Sequence, residues 1–342
     1  MFELKRVYWF VLTLIIFFTI IEFLIWGNLI TRPFLVAIPL ILINFFIVLG
    51  IHKFIAHLNL LLKSRRINRD PSLILHKALS EAPFKDTISI ENTQYAQDGQ
   101  SEGLVINANG LKLFSKSLID VQIAYNIAIR KVYNFLITSP TIVIDIGANV
   151  GYSALWFAQN KNVIKVFAFE PVRPTYNQAL LSVDLNPELK NKIEFRNVGL
   201  YGTELTTSIA YNKNHHTISS VLFTKEYLKS SGKNKEEYIS IELLSACETI
   251  NSIIDFQKKM QCSLILKVDC EGSEYSILNS FTSKIWSSVD VILMEVHGEN
   301  FQELQKVLLT QGYSLFSINH QHNAVFDHLC DILAIKNSVH SS

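Results

Sequence analysis

The sequence predicts an α/β protein: a mostly parallel sheet of seven strands with helices on both faces, preceded by a transmembrane helical hairpin. Three observations carry this expectation. From residue 141 onward, short apolar runs alternate with helical stretches, the pattern of a parallel sheet built from strand–helix–strand units. Before residue 52 the chain holds two long apolar runs almost free of charge, each long enough to cross a hydrocarbon core. Acids also recur at the carboxyl ends of the predicted strands, where open parallel sheets bind their ligands.

The hairpin comes first. Val7 to Trp26, "VYWFVLTLIIFFTIIEFLIW", is a run of 20 with Glu22 as its one charge. Its Leu, Ile, Phe and Val residues contribute about −0.3 to −0.6 kcal/mol each, which outweighs one acid at about +3. Trp9 and Trp26 stand at its two ends, as interfacial aromatics do. A signal peptide is the competing reading, but the run is too long and no small-x-small site follows it. Phe34 to Ile51 is a second run, interrupted only by Pro39 and Asn44, and "GNLITRP" separates the two. Lys5 and Arg6 precede the pair, Lys53, Lys63, Arg65, Arg66 and Arg69 follow it, and Arg32 is alone in the loop. The positive-inside rule then places the N-terminus and everything after residue 52 in the cytoplasm, whether the hairpin crosses fully or re-enters. The chain should therefore contact a lipid bilayer through residues 7–51.

Residues 53–140 form the lead-in. "HKFIAHLNLLLKSRRINRD" suits an amphipathic helix on the membrane surface, with a solvated linker as the plain alternative. "GLVINANGLKLFSK" alternates around Asn109-Gly110, a hairpin signal. Residues 118–136 then carry apolar side chains at helical spacing.

The main domain spans 141–338. Its predicted strands are 141–147, 163–170, 192–200, 264–270, 291–297, 313–318 and 331–336, with helices over "PTYNQALLSVDLN" and "ENFQELQKVLLTQG". The short last pair suits a final strand that turns back antiparallel. The Asn-, Lys- and Ser-rich insert at 203–240 could hold a hairpin or a lid.

Composition excludes some functions. A net charge of +1 over 342 residues gives no ground for a nucleic-acid partner. Charged residues make up only 18%, and mean hydropathy is +0.23. The four cysteines show no CxxC pair and no histidine at metal spacing, which reads as small buried thiols in a reducing compartment.

The chemistry converges at the strand ends. These offer Asp145 and Gly147, then Glu170, then Asp269 with Glu271 and Glu274, then Glu295 and His297. A helix N-cap explains any one such acid, but not all of them together. The loop Gly147-Ala148-Asn149-Val150-Gly151 matches neither GxGxxG nor GxxxxGK[ST]. It has no lysine for phosphates, and Asp145 would repel a pyrophosphate. Glu170 falls 19 residues after Gly151 at the next strand end, where a carboxylate can accept from a ribose diol. A sulfonium nucleoside bearing an ammonium group, S-adenosylmethionine, meets both demands. Asp145, Gly147, Asn149, Gly151, Glu170 and Asp269 are its expected binding residues, the glycines letting the backbone approach closely.

"VIDIGANVGYSALWFA", "FAFEPVRPTYNQALLSVDLN", "LILKVDCEGSEYSILN" and "ILMEVHG" stand in this order, and they resemble the successive motifs of the FkbM-type methyltransferases. The resemblance spans about residues 141–336. It implies a class I methyltransferase, Rossmann-like fold and O-methylation from S-adenosylmethionine, often of sugars or natural products. It does not cover the hairpin or most of 52–120. One departure is Val172-Arg173-Pro174, which puts a cation beside Glu170 as a shield or a solvated first-turn residue.

Methyl transfer needs alignment and, for a hydroxyl acceptor, removal of a proton. His297 is the base candidate by type, with Asp269 and Glu271 as competitors and a structural histidine as the bland alternative. Lys267, inside "LILKVDC", should pair with one of these acids. No spacing demands a metal, and none is assigned, although Asp269, Glu271, Glu295 and His297 could form an oxygen-rich site. His215-His216 read as solvated loop residues. The expected acceptor is a small molecule, a glycan or a lipid-linked hydroxyl. A catalytically silent, membrane-tethered binder of S-adenosylmethionine or a nucleotide is the alternative, and the glycine spacing disfavours a nicotinamide dehydrogenase.

Overall fold

The computed structural model describes residues 88–95, 101–128, 132–211, 237–297, 301–321 and 329–337. The hairpin, the 52–70 stretch and His215-His216 lie outside the described residues. Among the described residues, no helix is long and apolar enough to cross a membrane.

Three strands open this part of the chain: β1 (Ile88–Tyr95), β2 (Ser101–Ala108) and β3 (Leu111–Ser115), paired antiparallel in that order. The β2–β3 turn is the expected one. Asn109 (φ 50) and Gly110 (φ 80) are both left-handed, and Ala108 faces Leu111, the geometry of a two-residue hairpin loop. Helix α1 (Leu118–Ala128) follows and is shorter than its periodicity suggested. The Asn109 side chain donates to the Ala128 carbonyl at its end.

The main sheet has seven strands: β4 (Thr141–Ile146), β5 (Val163–Phe169), β6 (Ile193–Arg196), β10 (Ser263–Val268), β11 (Val291–His297), β12 (Tyr313–Gln321) and β13 (Leu329–Lys336). Their order is β12-β13-β11-β10-β4-β5-β6. β4, β5, β6, β10 and β11 run parallel, and β13 is antiparallel to both neighbours, as expected. Helices α2 (Tyr152–Gln159), α3 (Arg173–Asp184), α4 (Pro187–Lys190), α5 (Ala246–Met260), α6 (Glu274–Asn279), α7 (Ser283–Ser288) and α8 (Phe301–Thr310) connect the strands. Ile142, Ile144, Leu264, Leu266 and Ile292 are fully buried in the core. The near-continuous apolar runs of these strands follow from cover on both faces.

The single strand expected at 192–200 is instead two strands in different sheets. Asn197 breaks it by turning its side-chain amide to the Glu170 and Pro171 carbonyls, at 2.9 and 3.1 Å. Past this break, β7 (Gly199–Tyr201) pairs with β9 (Glu237–Ser245), which also pairs with β8 (Leu205–Tyr211). Gly199 permits that pairing, since a Cβ there would come within 2.4 Å of Leu243. The two longer strands of this third sheet pair antiparallel and bracket residues 212–236, so of the two expectations for the insert its edges fit the hairpin.

Candidate functional site

The loop after β4 turns on three left-handed residues, Gly147 (φ 75), Asn149 (φ 50) and Gly151 (φ 81). The Gly147 and Ala148 N–H groups both donate to the Phe169 carbonyl at 3.0 Å, which ties the loop to the end of β5. The glycines serve packing as well as any ligand. A Cβ on Gly147 would lie 1.8 Å from the Asp269 carbonyl oxygen, and one on Gly151 would lie 3.0 Å from Ala179 on α3.

Glu170 stands at the end of β5, nearly buried. One carboxylate oxygen accepts the Asn149 N–H at 3.0 Å and the other the Val172 N–H at 2.9 Å. The carboxylate thus bridges the glycine loop and the start of α3. Arg173 is exposed at the first position of α3 and reads as the solvated residue. The buried Asn149 Oδ1 has no hydrogen-bond partner among the described residues.

Asp145 does not join the rim. It is fully buried beneath the loop, where Ser153 Oγ donates to it at 2.6 Å and Lys267 Nζ lies 3.1 Å away. Its side chain faces α2 rather than the open ends of the strands. Lys267 also donates to the Gly147 carbonyl at 2.7 Å and lies 3.5 Å from Asp269. Burial by itself would lower the lysine, but Asp145 and Asp269 hold its pKa well above the usual lysine range.

The second half of the site joins the ends of β10 and β11. Glu271 (φ 54) and Gly272 (φ 104) form a left-handed turn that brings Glu271 back over His297. His297 Nδ1 lies 2.9 Å from Glu274 on α6, and its Nε2 lies 3.6 Å from both Glu271 and Glu295. The His297 side chain is only 2% exposed, against 21% for Glu271 and 26% for Asp269. Burial disfavours the imidazolium, yet the Glu274 bond and the charges of Glu271 and Asp269 raise its pKa to about 10. Burial raises Glu271 to about 8, an effect His297 moderates. Donor atoms of Asp269, Glu271 and His297 lie within 4.8 Å of one another. A metal there would require a neutral imidazole, and the proton that these carboxylates favour on the ring would compete with it.

The structure therefore brings His297, Asp269 and Glu271 together, and gathers Gly147, Asn149, Gly151 and Glu170 at the adjoining strand ends. It adds Ser153 and Tyr133, which sequence reasoning did not assign to the site, and gives a place to Glu274, which it counted among the strand-end acids without a role. Ser153, the second residue of α2, donates to Asp145. Glu274 is 1% exposed and accepts from the Cys270 and Gly272 N–H groups as well as facing His297. Tyr133 has its phenol raised well above its usual range by burial, a shift eased by Lys267 and reinforced by Asp269, Glu295 and Asp145. Glu274 had a signal, since it follows Glu271 by three residues at a helix start. Tyr133 had none.

The family model of the Methyltransferase FkbM domain matches residues 145–315, half of the 342-residue chain. The AMB antimetabolite synthetase AmbE of Pseudomonas aeruginosa is 24% identical over 223 residues, which are 56% of this chain and 10% of AmbE, so the chain spans a small part of that relative's length. Methyltransferase sdnD of Sordaria araneosa is 23% identical over 209 residues, 56% of this chain and 80% of sdnD. Among solved structures, the FkbM methyltransferase of Methylobacillus flagellatus KT aligns with a TM-score of 0.39 at 15% identity, covering 58% of this chain and 45% of its own. The matched residues run from Asp145 at the glycine loop through Glu170, the Lys267–Glu274 segment and His297, and on this the chain belongs to the FkbM methyltransferase family.

Proposed function

We propose that this protein is an S-adenosylmethionine-dependent O-methyltransferase, held at the cytoplasmic face of a membrane by residues 7–51. Its acceptor on this reading is a hydroxyl of a sugar, a glycan or a lipid-linked molecule. One observation carries the cofactor: the Glu170 carboxylate is fixed by the Asn149 and Val172 N–H groups at the mouth of the glycine loop. That is the place and chemistry for a ribose diol. The buried, unpartnered Asn149 Oδ1 suits a donor such as the ammonium group of the cofactor, so the residues present fit it.

When bound, S-adenosylmethionine supplies a methyl on a positively charged sulfur: the acceptor oxygen forms the new C–O bond, the C–S pair returns to sulfur, and the acceptor's proton must leave. This chain's work is then to orient and to take that proton. Glu170 and the loop fix one side of the site, and Lys267 ties Asp145, the Gly147 carbonyl and Asp269 together beneath it. The proton has a place in the Asp269–Glu271–His297 cluster, next to the loop. The membrane tether would raise the local concentration of an acceptor made at the bilayer.

Calorimetric titration of S-adenosylmethionine into the detergent-solubilised full chain and its Glu170→Ala variant tests this. The variant should bind roughly ten- to a hundredfold more weakly, the cost of losing charge-assisted hydrogen bonds of about 1–3 kcal/mol. A folded wild type that does not bind would replace this reading with the tethered, non-catalytic one.

A further inference from the structure

The site holds three groups that could accept the acceptor's proton, and their geometry separates them. His297 is sealed: its side chain is 2% exposed, Nδ1 is taken by Glu274, and Nε2 faces Glu271 and Glu295. Asp269 is reachable, but its carboxylate is engaged by the ammonium of Lys267 at 3.5 Å. Glu271 is reachable, stands on a left-handed turn above both strand ends, and faces the His297 ring at 3.6 Å.

What fixes Glu271 is Glu274. One buried carboxylate oxygen accepts the Cys270 N–H at 3.3 Å and the Gly272 N–H at 3.1 Å, the two residues flanking Glu271, and the same oxygen lies 2.9 Å from His297 Nδ1. It therefore clamps the turn that carries Glu271 to the ring that faces Glu271. Resting on the methyltransferase reading, we propose that Glu271 takes the acceptor's proton, and that Glu274 and His297 are the positioning pair that holds it for that task. In the step, the acceptor O–H bond breaks as oxygen bonds the methyl carbon, and its proton passes to a Glu271 carboxylate oxygen. His297 keeps its own proton and serves as a fixed cation beside Glu271.

The charges facing the ring are Glu274 on α6, Glu271 and Asp269 on the turn after β10, and Glu295 on its own strand; Lys267 lies one strand over, beside Asp269. The arrangement predicts a fall at His297 when Glu274 loses its charge, and a rise at Glu271 when the ring itself is removed. The experiment is NMR of the full chain in detergent, with ¹⁵N-labelled histidine rings and ¹³C-labelled glutamate carboxyls, assigned with His297→Asn and Glu271→Gln. In the wild type, both ring nitrogens of His297 should stay protonated through neutral pH. In Glu274→Gln the His297 midpoint should fall by about one pH unit or more, as the anion holding its proton is gone. His297→Asn should raise the Glu271 midpoint, because its neighbouring cation is lost while Glu274 is left intact.

A His297 that is neutral at pH 7 in the wild type overturns the proposal, since the ring is then free to act as base. So does a Glu271 midpoint that does not rise in His297→Asn, or a ring signal bleached by micromolar Mn²⁺, which would make the cluster a metal centre. Calorimetry with S-adenosylmethionine on the same samples keeps the two readings apart. Binding with a neutral His297 overturns this inference alone. An imidazolium in a folded chain that does not bind overturns the reading beneath it.

Discussion

At the scale of single residues, the decisive pair is Asp145 and Lys267, 3.1 Å apart and both buried in the middle of the sheet. Removing one partner of a buried pair strands the other charge, at a cost of about 3–5 kcal/mol. Lys267→Met should therefore lower the urea midpoint strongly, and Asp145→Asn combined with it should recover much of the loss. If the double variant is no more stable than the single one, the lysine's bonds to Gly147 and Asp269 matter more than its pairing with Asp145. Gly147→Ala should be worse than its size suggests. Its methyl would lie 1.8 Å from a backbone oxygen at φ 75, and left-handed strain alone costs about 1–2 kcal/mol. Thermal melts should place it well below wild type, with cofactor binding lost as well. The sequence showed that acids gather at the strand ends, because strand boundaries can be read from apolar runs. It could not show that Asp145 points under the loop. In a strand buried on both faces, no alternation of polar and apolar residues marks which side a residue takes.

At the scale of elements, the β2–β3 hairpin is locked to α2, α3 and the turn after α3 by single polar groups. Tyr152 donates to the Phe114 carbonyl at 2.7 Å, and Ser182 Oγ accepts the Phe114 N–H at 3.0 Å. Asn186 does both jobs for Lys112, accepting its N–H at 3.0 Å and donating to its carbonyl at 2.7 Å. Asn186→Ala would leave two backbone groups without these partners, and should cost about 1–3 kcal/mol in a denaturant titration. Lys190→Ala is the control: its pair with Asp184 is largely exposed, and such pairs contribute at most about 1 kcal/mol. Equal effects from the two would mean that water replaces the Asn186 bonds freely. The hairpin itself was legible, because Asn109-Gly110 is one of few dipeptides that accept two left-handed residues in a row. Its docking was not, since partners such as Asn186 and Lys112 are 74 positions apart with no periodicity to link them. For the same reason the break at Asn197 was hidden inside a run that reads as one strand. Its cause is a side-chain bond to the Glu170 and Pro171 carbonyls.

At the scale of the whole molecule, the proton-holding cluster should set how stability depends on pH. Three groups in and beside it shift upward. His297 goes up to about 10 despite burial, through its bond to Glu274; Glu271 goes up to about 8 by burial; Lys267 is raised by Asp145 and Asp269 against its burial. A group with a raised folded-state pKa binds more protons folded than unfolded between its two pKa values, so stability falls as pH rises through that window. For Glu271 the window runs from about 4.3 to about 8. For His297 it runs from about 6.5 to about 10, its contribution being complete below the lower limit and gone above the upper one. The melting temperature of the full chain should therefore decline from pH 6 to pH 10, steepest where the windows overlap. Glu271→Gln should reduce the slope up to about pH 8 and leave the His297 part, and His297→Asn should reduce the slope above about pH 6.5. Proton abstraction runs against this trend, because Glu271 must be ionised to act, so methyl transfer should rise with pH through about 8 while the fold loses stability. A melting temperature that is flat from pH 6 to pH 10 would mean that the cluster opens to water and titrates normally. The strand-end carboxylates would then be an ordinary solvated rim, and the base would have to be sought elsewhere.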